Sequence, residues 1–546
     1  MNFKQTFMII GVLTLIQKPN GVTSLTELDA QSCIETEEEI IALRDIGAVI
    51  TSLKAVAGFK LRGDKGGTES VKYLNMAVSA QGLINDLIRI YPKECAFTKL
   101  FTAILKNLNG LKIDDMVKNI NTLQAAVSKV TEFKDKSRES DIMKSIKSRK
   151  TYISYDEMVG ILKDLAKEYP SQMSMYSIGE SGEGKQIWVM AVSANKPDEH
   201  VLLRPEMKYV GGIHGNEPIG GQLLIRFLAH LGQNFGKDDT ITKLMNTSRL
   251  HILPMLNPDG YTKGYTENTD TSDTDNIINA CLGNGEGRNT TEPNEVDLNR
   301  NFGPEYFEKK YRPKPAKETQ AVKKWLEDYP FLMSLSFHGG AMVASYPYDN
   351  KRTRKSESND VFKYSKSPDD DIFRQMALTY SYSHGRMYAG EVLSKAFCYM
   401  GNFIDGITNG AKWFYVKGGM QDYNYVNYGI LAITIEMECC KFPPYITMED
   451  FWHENLPSFL NSWKFVHRGI KGIISDSQGN PVPNAKVYID KRKHPVTSTS
   501  KGEYWRVLLP GTYTIRVEAE GYRKFKKEII VHDPDLFGAS MVNIIL

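Results

Sequence analysis

The chain predicts an α/β domain built on a mixed sheet, preceded by a small all-α segment and followed by an all-β sandwich. Three observations carry this. Strand-like and helix-like runs alternate from Ser154 onward, apolar residues recur at helical spacing before it, and short alternating strands separated by turns follow Val466-His467-Arg468. At 546 residues the chain exceeds what one core supports and implies about two to four domains. Apolar content of 41% and charged content of 24% are ordinary for globular protein, and a net charge of +3 is near balance. No basic stripe with interleaved aromatics stands out, which argues against a nucleic-acid partner.

Residues 1–24 open with MNFKQ and the apolar TFMIIGVLTLI, which reads as a secretory signal peptide whose apolar stretch is too short to span a bilayer. A buried first helix is the alternative. No later segment is apolar for long enough to cross a membrane, and Val542 to Leu546 lack the tail of a lipid-anchor signal. A secreted protein with neither transmembrane segment nor lipid anchor is expected.

Residues 25–150 read as a helical domain of unknown role. Glu37 to Ala57 carries apolar residues at Ile40, Ile41, Leu43, Ile46, Val49, Ile50 and Leu53, and further helical runs lie around Val71 to Ile90, Phe97 to Leu108 and Ile113 to Val130. Breaks at Gly63 to Gly67, Pro92 and Gly110 suggest a small bundle. The segment ends in a charged stretch whose Arg149-Lys150 pair reads as a processing site or an exposed linker.

Residues 151–467 form the predicted α/β domain. Its strands are expected at Ile187 to Val192, Lys208 to Val210, Arg249 to Pro254 and Phe331 to Phe337, and its helices around Glu157 to Glu168, Pro218 to Leu231 and Ala316 to Asp328. In such sheets ligands gather at strand ends. Residues 468–546 show strand patterns at Gly469 to Ser475, Ala485 to Ile489, Thr512 to Val517 and Lys527 to Val531, with turns at Ser477-Gln-Gly-Asn480 and Leu509-Pro-Gly511.

Six cysteines, Cys33, Cys95, Cys281, Cys398, Cys439 and Cys440, fit an oxidising compartment, although six allow fifteen pairings. Cys33 and Cys95 stand alone in their segment and are the preferred pair. Asn246-Thr-Ser is a candidate glycosylation sequon, whereas a glycan on Asn289 would obstruct the suspected active site.

The chemistry begins with His214 and Glu217 in YVGGIHGNEPIG, where a β-prone run breaks at Gly211-Gly212 and a helical pattern starts near Pro218. With His338 in SLSFHGG they supply two imidazoles and one carboxylate, the ligand set of a catalytic zinc site with its fourth position open. A lone H-x-x-E also fits a solvated turn. Other segments add to it. Asn299 and Arg300 in DLNRNF offer an amide and a guanidinium fork that can grip a carboxylate, or an ordinary surface ion pair. Glu436 in ITIEME sets a carboxylate among apolar neighbours, which is costly unless it is used or paired. Arg288 offers a cation in a Gly-flanked loop that could also be a solvated turn.

Taken together these residues resemble the zinc carboxypeptidases, specifically the regulatory branch typified by carboxypeptidases N, E, D and M. The family pattern H-G-N-E, L-N-P-D-G, G-R-N, D-L-N-R-N-F, H-G-G, Y-P-Y-D, P-D-D-x-x-F, D-G-I-T-N-G-A, G-G-M-Q-D-Y-N-Y and E-x-x-C-x-K-x-P-P is met in order from His214 to Pro444. The β module, with Gly502-Glu-Tyr-Trp-Arg506 and Leu509-Pro-Gly-Thr-Tyr513, resembles the transthyretin-like domain of the same branch. The resemblance implies that His214, Glu217 and His338 bind one zinc ion, that Glu436 is the general base and Arg288 the oxyanion cation, and that Asn299 and Arg300 hold the substrate's terminal carboxylate. It further implies that Asp349, with Gln421 alongside, receives the departing side chain and favours Lys or Arg, so that peptide or protein C-termini ending in these residues are the expected partners.

Two departures stand out. Between Arg288 and Asn299 the chain carries two residues more than the family pattern, and Trp413-Phe-Tyr-Val puts Phe414 where a substrate-capping tyrosine is expected, with Tyr415 one step along. In an extended stretch Tyr415 would face the other way, so either the loop shifts to use Tyr415 or the hydroxyl is absent and binding is somewhat weaker. A secreted carboxypeptidase is therefore expected. The alternative is a catalytically silent binding or scaffold protein on the same fold, but intact His214, Glu217, His338 and Glu436 argue for the enzyme.

Overall fold

A computed structural model describes residues 139–268, 281–282, 287–291, 295–303, 312–350, 362–393, 403–532 and 538–546. The expected signal peptide, the helical runs before residue 131 and the Cys33–Cys95 pair lie outside these residues. The chain falls into two compact units, one of Met1–Glu139, Ser381–Leu393 and His453–Asn455, the other of Ser140–Tyr380, Ser394–Trp452 and Leu456–Leu546. In the first, among the described residues, Arg386 Nε donates to Glu454 Oε1 at 2.7 Å and Tyr382 stacks on Tyr388.

Elements of the α/β region run α1 (Asp141–Lys147), α2 (Tyr155–Glu168), β1 (Met173–Glu180), β2 (Gln186–Val192), β3 (Glu206–Gly211), α3 (Ile219–Asn234), α4 (Asp239–Thr247), β4 (Arg249–Leu253), α5 (Pro258–Asn268), α6 (Lys317–Asp328), β5 (Phe331–His338), β6 (Ala341–Tyr346), α7 (Asp370–Ser383), β7 (Ile407–Asn409), α8 (Gly410–Trp413), α9 (Met420–Tyr428), β8 (Leu431–Glu438) and α10 (Met448–Lys464). Ser154 starts α2 with a reciprocal cap, accepting from Glu157 N while the Glu157 carboxylate accepts from Ser154 N, so two orphan donors are satisfied at once. Helix α1, counted above with the N-terminal segment, buries Met143 and Ile146 and packs on α3.

The strands form one eight-stranded mixed sheet in the order β1-β2-β4-β3-β5-β8-β6-β7. Strands β4, β3, β5 and β8 are parallel neighbours at its centre, while β1 and β2 run antiparallel to their neighbours and β6 runs antiparallel to β8 but parallel to β7. Parallel central strands need cover on both faces, which explains why every residue of β3, β4 and β5 is buried. Successive residues of β3 show the two faces. Tyr209 packs on Phe227 of α3 and Phe459 of α10, whereas Val210 joins a cluster with Val322 and Trp325 of α6. Among the described residues no helix is long and apolar enough to cross a membrane.

The C-terminal strands are β9 (Ile470–Ser475), β10 (Lys486–Ile489), β11 (Val496–Thr497), β12 (Glu503–Arg506), β13 (Gly511–Glu518), β14 (Phe525–Val531), β15 (Ser540–Met541) and β16 (Ile544–Ile545). They make one sheet ordered β11-β10-β13-β14 and a second of β12-β9-β15, with β16 also on β9, the two-sheet arrangement expected. Alternation places Val487, Ile489, Ile515, Val517, Ile529 and Val531 inside.

At the start of β3 the Glu206 carboxylate, fully buried, accepts both Arg249 Nη2 contacts at 2.8 Å and pairs with His251 Nε2 at 3.0 Å and His200 Nδ1 at 2.5 Å. The other His200 nitrogen meets Glu503 of β12 at 3.0 Å, joining the α/β region to the C-terminal module. Those two carboxylates raise the His200 imidazole to about 9 against the cost of its burial. A folded value above the unfolded one means that the contribution is complete below about pH 6.5 and is lost as pH rises through about 9. His200→Gln should therefore cost about 2 kcal/mol at pH 6, and the difference should shrink toward zero by about pH 10, read from denaturation midpoints across pH.

Candidate active site

The carboxyl ends of β3, β5 and β8 supply the site. After Gly211 the chain turns through Gly212-Ile213 into His214-Gly-Asn-Glu217, closed by Glu217 N donating to His214 O at 3.2 Å, before α3 begins. Gly215 is required here, because a Cβ at this position would lie 2.1 Å from Tyr261 N. His338 ends β5, and the parallel register pairs it with Glu436 of β8, so the two side chains stand beside each other on one face of the sheet.

His214, Glu217 and His338 are buried, and their ligand atoms lie within 4.8 Å of one another. Glu217 Oε2 stands 3.0 Å from His214 Nδ1, 3.1 Å from His338 Nδ1 and 3.2 Å from the donating Gly339 N. The outer ring nitrogens are fixed too, His214 Nε2 by Asp297 Oδ1 at 3.1 Å and His338 Nε2 by Ser336 Oγ at 3.2 Å. Inward Nδ1 atoms with outward Nε2 atoms held by oxygen are what a metal-binding imidazole needs, so the donor set and its support fit a zinc ion. Burial alone would push the Glu217 carboxyl up, yet His214, His338 and Lys441 hold it well below the usual range.

Arg288 reaches this centre despite the longer loop after it. Its Nη1 donates to Glu217 Oε1 at 3.4 Å and its Nη2 to Asp297 Oδ2 at 2.9 Å. Lys441 Nζ donates to the same Glu217 oxygen at 3.2 Å. Burial, and then the Glu217 charge, hold the Glu436 carboxyl above the usual range, with Lys441 and Arg288 opposing.

A second cluster forms around α8 and α9. Asn299 Oδ1 accepts from Met420 N at 3.0 Å, and Arg300 Nη1 donates to the Asn299 carbonyl at 2.9 Å. Asp349 is buried, its Oδ1 accepts from Gln421 Nε2 at 2.6 Å, and its backbone N donates to Asp422. Burial raises the Asp349 carboxyl to about 7, and Arg300 opposes the rise. A Cβ on Gly419 would stand 3.6 Å from both Asn299 Oδ1 and Asp349 Oδ2, so Asn299 and the buried acid flank one stretch of backbone. Gly410 makes room for that acid, since a Cβ there would lie 1.9 Å from Asp349 Oδ1.

Phe414 lies in extended backbone with its ring 4.6 Å from Trp413. Tyr415 packs on Phe362 at 5.0 Å, and its hydroxyl accepts from Lys363 N at 3.2 Å.

Sequence reasoning gave no role to Asp297, Lys441 or Gly410, although all three lie inside the motifs quoted above. Nor did it anticipate the Cys281–Cys440 disulfide, beside which Lys441 N donates to Cys281 O at 3.0 Å.

The zinc carboxypeptidase family model matches residues 158–458, and the carboxypeptidase regulatory-like domain matches residues 469–543. Carboxypeptidase D of Anas platyrhynchos is 39% identical over 393 residues, 72% of this chain and 26% of that protein. Carboxypeptidase M of Mus musculus is 37% identical over 70% of this chain and 81% of its own length, and the human carboxypeptidase N catalytic chain is 36% identical over 67% and 80%. The chain thus spans about a quarter of the carboxypeptidase D relatives it matches. A match over more than half the sequence, on a site with this donor set, places the chain in the zinc carboxypeptidase family.

Proposed function

We propose that the chain is a secreted exopeptidase that hydrolyses the last peptide bond of peptides or proteins ending in Lys or Arg. The observation that carries this reading is the buried Asp349–Gln421 pair flanking the same backbone as Asn299. His214, Glu217 and His338 would hold the ion, and zinc bound there would supply Lewis acidity to the scissile carbonyl and the attacking water. Glu436, neighbour of His338 in the sheet, takes the proton from that water and delivers it to the leaving amine. Arg288 meets the negative charge that develops on the carbonyl oxygen.

Asn299 and Arg300 receive the terminal carboxylate, which limits removal to one residue at a time. Asp349 receives a lysine or arginine side chain, and a cation there offsets the cost of keeping the acid ionised out of water. Phe414 stands at the position where the family pattern has a tyrosine, so the substrate lacks one hydroxyl partner and binds more weakly, while the ligands, base and oxyanion cation are all present. The signal-peptide reading of residues 1–24 supports the secretory compartment, and the exposed Asn246 is the proposed glycan site.

Three measurements test this reading. On a panel of peptides differing only in the last residue, release should be confined to Lys and Arg and abolished by a chelator, with zinc restoring it; chelator-resistant release would remove the metal from the account. Glu436→Gln should retain zinc and lose about a hundred- to ten-thousand-fold in kcat, so parental turnover would refute the base. Asp349→Ala should lower the preference for arginine over leucine by about 100-fold, and an unchanged ratio would unseat that residue.

A further inference from the structure

Two arginines of the C-terminal module converge on one buried carboxylate, Asp369. Asp369, fully buried just before α7, accepts from Arg492 Nη1 at 2.8 Å and Arg506 Nη2 at 2.6 Å on Oδ1, and from the Tyr425 hydroxyl at 2.7 Å on Oδ2. Arg492 also makes a forked pair with Asp371 at 3.0 and 2.8 Å. Arg506 ends β12 and is itself buried, while Arg492 lies in the loop after β10. From the same loop His494 sets its ring 4.2 Å from that of Tyr425.

Tyr425 belongs to α9, about one turn beyond Gln421 and Asp422. Those two residues hold Asp349, Gln421 through its side-chain amide and Asp422 by accepting from Asp349 N. Tyr425 also meets Tyr348, the residue before Asp349, with ring centroids 5.9 Å apart. The contacts therefore run without a gap from Arg492 and Arg506 through Asp369 and Tyr425 to both supports of Asp349. A buried acid satisfied on both oxygens fixes its partners firmly, and loss of one leaves charge that neighbours must move to meet.

We propose that the C-terminal module is a positioning element of the specificity pocket: Arg492 and Arg506, acting through Asp369 and Tyr425, set where Gln421 and Asp422 hold Asp349, and thereby set the preference for basic over neutral C-terminal residues. This rests on the reading of Asp349 given above.

The decisive variant is Tyr425→Phe in the full chain, because it removes the hydrogen bond between α9 and Asp369 and leaves both arginines paired with that carboxylate. KM for an arginine-ending peptide should rise about fivefold with kcat within about twofold, and values for a leucine-ending peptide should not move. Arg506→Met should lower the arginine-to-leucine ratio of kcat/KM by about tenfold, with Arg506→Lys restoring most of it. If Arg506→Met fails to fold, Tyr425→Phe decides alone, and a ratio that stays at the parental value in that variant overturns the proposal. Asp349→Ala separates the two failures. Should it also leave the ratio unchanged, the pocket reading is what fails; should it lower the ratio where Tyr425→Phe does not, only the coupling fails.

Discussion

One oxygen, Glu217 Oε2, gathers His214, His338 and the Gly339 amide, and the rest of the site is arranged around that convergence. A carboxylate buried this deeply is stable only if positive partners and donors surround it, and the fold supplies them from separated segments: a corner after β3, the end of β5, the Arg288 loop and Lys441 after β8. Parallel central strands make this economical, because their carboxyl ends lie along one edge of the sheet.

The same sheet keeps its two ends apart in purpose. At the start of β3, Glu206 is closed off by Arg249, His251 and His200, and the other nitrogen of His200 reaches Glu503 of the C-terminal module. Past the other end of the strand, Glu217 faces the cluster of ionisable groups. Glu436 and Asp349, both pushed upward by burial, lie on that side as well, and opposing cations keep the field balanced.

Much of this was legible in the sequence, for definite reasons. Strands β2, β3, β4 and β5 show as β-prone runs because both their faces are covered, and α2, α3 and α6 keep a clear apolar stripe. His214 and Glu217 could be placed at a corner because Gly211-Gly212 ends the strand and Pro218 precedes the helix. The short edge strand β7 and the antiparallel strands β1 and β6 escaped, since half-buried or glycine-flanked segments lack a strong period. The pairing of His338 with Glu436 has no local signature, because parallel neighbours are joined by long connections. Asp297 and Lys441 went unassigned because a second layer of support is defined only by what it touches.

Gly410 has no functional group at all, yet Asp349 can occupy its place only because nothing projects from that α-carbon. The resting place of that carboxylate is partly a matter of vacancy: a void shaped by a missing methyl decides where the acid lies. A survey confined to chemically reactive side chains would pass over this position, although a single added carbon there would evict the very group it was looking for.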